Sequence, residues 1–128
     1  MARVHDDTEV RLAVPATPEF LRLARLTVAG VASRMGFTYD EVEDLRIAID
    51  ELCFALVGTN GREGSIELRY SVHADDLVVV GIGAFADPIA PTLSSLSRQI
   101  LSAVVDEHEV AATERGPTFR LRKRRRAA

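Results

Sequence analysis

Val10, Leu12 and Val14 alternate with Glu9, Arg11 and Ala13 until Pro15, the two-residue period of a strand with one buried face. Thr17-Pro18-Glu19 then sets an N-cap residue, a proline at the first helical position and an acid in the first turn, and Gly36 supplies a left-handed stop, so a helix over 18–35 is predicted. Thr38 and Glu41 stand at capping-box spacing, which starts a second helix that runs to about Val57 before Gly58-Thr59-Asn60-Gly61. Ile66, Leu68 and Tyr70 alternate with Glu67 and Arg69, Asp75-Asp76 makes a turn, and Leu77–Val80 continues as a more buried strand, which predicts a hairpin. Thr92 is the expected cap of a third helix through about Val105. A last hairpin is expected to turn near Arg115-Gly116-Pro117, pairing 108–112 with 118–123. The order predicts an α+β fold: a two-layer sandwich with helices on one face of a mixed, largely antiparallel sheet.

On a helical wheel of the second helix, Val42, Leu45, Ile49, Leu52 and Leu56 make one apolar stripe for the core. Ile47, Phe54 and Gly58 lie opposite, and Glu51 stands among them with Ala55 four residues on. Glu51 has two readings: a solvated helix glutamate, or a general base whose proton affinity is raised by apolar neighbours. The first helix is apolar on more than one side, with Leu21, Ala24, Val28, Val31 and Met35 on one track and Phe20, Leu23 and Thr27 beside it. That surface serves either deep packing or an interface.

The chain has 128 residues, of which 47% are hydrophobic and 27% charged, the size and usage of one globular domain. Its net charge of −3 is unevenly spread. Six of 16 basic residues fall within 120–128, where there is no acid, so residues 1–119 carry −9. An acidic body argues against nucleic acid as a direct partner. The basic positions at the end of the last strand read as guards of a sheet edge, followed by a short tail. Asp40, Glu41, Glu43 and Asp44 suit the positive end of the second helix and are a candidate contact for a basic partner surface. Cys53 stands alone, and no stretch reads as a signal peptide or membrane span, which predicts a cytoplasmic protein with an inert thiol.

Asp44-Leu45-Arg46-Ile47-Ala48-Ile49-Asp50-Glu51-Leu52-Cys53 resembles the N-box helix of the anti-sigma-factor serine kinases of the RsbW and SpoIIAB type, which share the GHKL, or histidine-kinase-like, ATPase fold. Ile100–Val110 and Gly116-Pro117-Thr118-Phe119-Arg120-Leu121 are similar to the family's closing helix and hairpin. The resemblance spans residues 8–125 as one domain, leaving 1–7 and 126–128 as flexible termini. It implies Glu51 as the catalytic base of an active member. It also implies sequestration of a sigma factor, phosphorylation of a STAS-domain anti-anti-sigma protein, and a homodimer.

The nucleotide motifs depart from that pattern. Ala55 replaces the asparagine that helps hold Mg²⁺ in the family, and a methyl group is no metal ligand. The Asp-x-Gly-x-Gly loop corresponds to Val79–Asp87, where Gly81, Gly83 and Asp87 are the candidate cofactor-binding residues. Its adenine-binding aspartate is Val79 or Gly81, depending on the alignment. Ser94-Ser95-Leu96-Ser97 stands in place of a glycine-rich lid turn. The expectation is an anti-sigma-factor-like regulator that binds a sigma factor, a STAS partner or both, with weak or no ATP binding. Its altered site is expected to be closed by side chains such as Phe54 and Phe85. The alternatives are an active serine/threonine kinase using ATP and Mg²⁺, and a non-catalytic scaffold.

Overall fold

The computed structural model describes residues 8–87 and 90–126. Strand β1 (Glu9–Pro15) leads into helices α1 (Pro18–Met35) and α2 (Tyr39–Val57), then the hairpin β2 (Gly64–His73) and β3 (Asp76–Phe85), helix α3 (Ser95–Val104), and the hairpin β4 (Glu107–Thr113) and β5 (Gly116–Arg124). The sheet order is β1-β2-β3-β5-β4, and every adjacent pair is antiparallel, so the sheet is not mixed. The helices cover one face. Leu45, Ala48, Ile49, Leu52 and Leu56 of α2 are buried there, as are Ala24, Val28 and Ala32 of α1, against Leu68, Tyr70, Val79 and Leu121 of the sheet. Tyr70 donates its hydroxyl proton to the Ala24 carbonyl at 3.0 Å, and Arg25 bridges to Asp50 at 2.8 Å, tying α1 to the sheet and to α2.

The helix starts show which caps the chain uses. Thr38 accepts from the Glu41 N–H at 3.2 Å while the Glu41 carboxylate accepts from the Thr38 N–H at 2.8 Å, a complete capping box. Thr17 occupies the N-cap position of α1, but its side chain makes no cap bond. Its Oγ1 is buried without a partner, while its carbonyl takes the Phe20 and Leu21 N–H groups. Helix α3 starts two residues later than a Thr92 cap requires. Ser94, in extended conformation, accepts the Ser97 N–H at 3.0 Å and so stops the helix from reaching further back.

The basic segment at the end of β5 guards no edge. β5 lies inside the sheet, between β3 and β4, and the edges are β1 and β4. Lys123 is buried, donating to the Val104 carbonyl at 2.7 Å with Asp44 3.7 Å away. Arg125 pairs with Asp75 at 2.7 Å, and the Arg126 N–H bonds the second Glu41 carboxylate oxygen at 3.0 Å. Arg126 is therefore held rather than loose; residues 1–7, 127 and 128 lie outside the described residues. Burial acts to raise the Glu41 carboxyl, but the bonds from the Thr38 and Arg126 N–H groups, the Thr38 hydroxyl contact and the Lys123 charge together hold it below the usual carboxylate range. The acidic start of α2 thus meets the chain's own basic end.

Candidate functional site

At the other end of α2 the side chains face α3 and the end of β3. Glu51 is half-buried, and its Oε1 accepts the Ser97 hydroxyl proton at 2.7 Å. Ser97 in turn accepts from the Ser94 hydroxyl at 3.0 Å, so a relay of two serines links the α3 cap to the carboxylate. Ala55, one turn on, lines a cavity of about 300 Å³ with Gly58, Arg62, Ala90 and Thr92. Arg62 crosses this space. Its guanidinium donates to the Leu56 carbonyl at 3.0 Å and to the Asp87 carbonyl, and it lies 4.5 Å from the centre of the Phe85 ring.

Gly81 and Gly83 are mid-strand residues of β3 whose missing side chains would point toward the helices. The space above each is taken by an aromatic ring. A Cβ at Gly81 would collide with Phe119, its register partner on β5, and one at Gly83 would collide with Phe85. The glycines admit those rings; their backbone angles are not in the positive-φ region. Asp87 lies exposed just past the strand.

Of the candidate residues, Glu51, Ala55, Gly83 and Asp87 are gathered around α3, Arg62 and Phe85, while Gly81 lies deeper under Phe119. The Phe85 ring lies over Gly83, but the cavity beside Ala55 stays open, and Phe54 does not close it, being 54% exposed on the outer side of α2. Arg62 went unnoticed in the sequence because it sits in a polar loop with no periodic pattern. Cys53 is buried, and burial pushes its thiol up to about 12, consistent with an inert side chain. On α1 the track of Ala24, Val28, Val31 and Met35 is buried, whereas Phe20, Leu23 and Leu26 remain exposed. No described helix is long and apolar enough to cross a membrane.

Comparison with known proteins agrees with this geometry. The serine-protein kinase RsbW of Bacillus subtilis (strain 168) is 46% identical over 74 residues, covering 56% of this chain and 46% of that protein. The RsbW of Bacillus pumilus (strain SAFR-032) is 41% identical over 76 residues, covering 56% and 47%. The chain thus spans about half the length of the curated relatives it matches. The crystal structure of the RsbU and RsbW domains of a Mycobacterium tuberculosis protein superposes with a TM-score of 0.69 over 92% of this chain and 32% of that one, at 17% identity, a likeness of fold. Residues 14–123 match the family model described as a histidine kinase-like ATPase domain, and the chain belongs to that family.

Proposed function

We propose that this chain is an anti-sigma-factor-like regulator that works by binding, holding a sigma factor, a STAS-domain anti-anti-sigma partner or both, as a homodimer in the cytoplasm, with weak or no ATP binding. The observation that supports it is what occupies the nucleotide end of α2. Ala55 offers no oxygen to Mg²⁺, which needs oxygen donors in near-octahedral geometry, and no carboxylate stands at Val79 or Gly81 to accept from an adenine amino group. Phe119 and Phe85 fill the space above the two glycines, and Arg62 spans the gap. A Mg²⁺–nucleotide therefore does not fit the donor set. What remains is a folded scaffold offering protein surfaces, among them the exposed Phe20, Leu23 and Leu26 of α1.

A ligand specific for the folded state raises its melting temperature, and one present at 100 times its Kd adds about 2.7 kcal/mol. Titration with millimolar ATP and Mg²⁺ is expected to leave the melting temperature unchanged. Purified sigma factors and STAS proteins of the source organism are expected to include one that binds the chain in calorimetry without nucleotide. A rise of several degrees with ATP, or binding that requires it, overturns the non-nucleotide reading. The kinase alternative draws on one contact: Glu51 accepts a hydroxyl proton at 2.7 Å, as a general base does from a hydroxyl nucleophile. Transfer of labelled phosphate from ATP to a STAS protein, lost in Glu51→Gln, would establish it.

A further inference from the structure

The turn between α2 and β2 sets an uncommitted amide beside a tightly held segment. Asn60 is the single asparagine of the chain, and Gly61 follows it. Asn60 is exposed in the turn, and its side chain makes no hydrogen bond among the described residues. Gly61 has φ +80°, and a Cβ there would lie 2.8 Å from the Ala16 carbonyl oxygen, so packing requires glycine at that position. Its N–H likewise has no partner among the described residues, and no side chain shields its nitrogen. Just past it the chain is clamped. The Arg62 N–H donates to the Ala16 carbonyl at 2.8 Å, the Ala16 N–H to the Gly64 carbonyl at 3.1 Å, and the Ala86 N–H to the Glu63 carbonyl at 3.3 Å. The Arg62 guanidinium reaches back to the Leu56 carbonyl at 3.0 Å and across to that of Asp87. Both ends of the turn are thus tied through one side chain.

We propose that Asn60 is a site of spontaneous deamidation, and that its isoaspartyl product releases the Arg62 clamp in a one-way change. The Gly61 backbone nitrogen attacks Cγ of Asn60. The new N–C bond closes a five-membered succinimide, the Cγ–Nδ2 bond breaks, and the side-chain nitrogen leaves as ammonia with the proton that the Gly61 nitrogen gives up. Water then opens the ring at one of its two carbonyls. Opening at Cγ leaves an aspartate in the original main chain. Opening at the main-chain carbonyl leaves an isoaspartate, whose main chain runs through the former side chain and is one carbon longer. One water is consumed and one ammonia released, with no change of oxidation state. Either product places a new carboxylate two positions before Arg62. Only the isoaspartate lengthens the path between the Leu56 carbonyl and the Arg62 N–H, and the clamp leaves that path no slack. Arg62 is pushed off the Ala16 carbonyl, its guanidinium lets go of Leu56 and Asp87, and the cavity of about 300 Å³ beside Ala55 loses one wall.

The test incubates the purified chain at pH 8, folded and in urea. Isoaspartate is followed by methyl transfer from an isoaspartyl methyltransferase and by chromatography of the tryptic fragment 47–62. The sequence has no second asparagine and no Asp-Gly step, so that fragment is expected to carry the signal. The folded chain is expected to react within about ten-fold of the unfolded rate, because a loop tip opens locally at little cost. A folded chain that stays unmodified, whether or not the unfolded chain reacts, overturns the site. Separated by ion exchange, the isoaspartyl chain is expected to melt about 4 °C or more below the parent and to exchange the Arg62 amide faster. Asn60→Asp adds the charge without lengthening the main chain and is expected to melt within about 2 °C of the parent. An isoaspartyl chain that melts with the parent and protects the Arg62 amide overturns the release of the clamp. An equal loss in Asn60→Asp assigns the effect to charge and overturns it too. Asn60→Gln, whose longer side chain disfavours ring closure, is expected to form no isoaspartate and to keep its melting temperature through the incubation. Isoaspartate in that variant places the reaction elsewhere and overturns the assignment to Asn60.

Discussion

The two ends of helix α2 have the same scaffold and opposite fates. At its start, Glu41 accepts backbone N–H groups from Thr38 and from Arg126, Lys123 lies beside Asp44, and Thr38 closes the capping box. At its end, Glu51 meets the hydroxyl of Ser97, Ala55 borders a cavity, and Arg62 and Phe85 fill space above the strand. Polar groups at the first end hold the fold together and are closely partnered. At the second they are sparse: Glu51 has the Ser97 hydroxyl, and a methyl group and one guanidinium border the cavity. One helix of 19 residues thus carries a closely partnered end and a sparsely partnered one.

The largest expected effect breaks the floor of the second end. Phe119 is almost wholly buried over Gly81, and Phe119→Ala should cost about 3–5 kcal/mol in urea unfolding by leaving a cavity. If the ring only fills space left by a lost ligand, the variant will still show no melting shift with ATP. At the first end, Glu41→Ala leaves two backbone N–H groups without their acceptor and should cost about 2 kcal/mol by the same measurement. A cost below about 0.5 kcal/mol would erase the contrast between the ends.

Acid sharpens it further. The folded Glu41 carboxyl is held below its ordinary value, so its contribution is complete above the unfolded glutamate pKa of about 4.3 and is lost as pH falls through the lower folded value. Stabilities of the parent chain and Glu41→Gln, measured from pH 6 down to pH 2, should converge toward the acid end; a constant gap would show that the carboxylate charge is not what matters. The smallest effect is expected from Ser97→Ala, which removes two hydroxyl bonds near the surface, one to Glu51 and one from Ser94, and should cost about 0.5–1 kcal/mol. Glu51→Ala should likewise leave partner affinity within about two-fold in calorimetry, and a large loss there would mean that the carboxylate contacts the partner directly.

Local rules made much of this legible in the sequence. The alternation in β1 and β2, the Thr38 and Glu41 box and the Gly36 stop act over a few residues, and the structure uses them where the pattern places them. Thr92 misled because Ser94 and Ser95 offer hydroxyls at the same helix start and backbone geometry selects Ser94, whereas Thr17 holds the N-cap position without a side-chain bond. The wheel set Glu51 apart from the core stripe, but its partner Ser97 is 46 positions away, and no periodicity reports that distance. Arg62 and Phe119 were invisible as site residues for the same reason: the first acts through loop carbonyls, the second through strand register. The basic end was read as an edge because adjacency in sequence hides that β5 enters the sheet between β3 and β4.

The bond between Glu41 and Arg126 closes over 85 positions of chain. At a synthesis rate of about 5–20 residues per second, the start of α2 waits roughly 4–17 s for that partner to be made. The α1–α2 hairpin has local contacts enough to form early, but its acidic first turn stays incompletely partnered until β5 has been threaded between β3 and β4. Completion of the sheet and locking of the helix are therefore one late event, and a chain stopped short of residue 126 is left with an unfinished helix start.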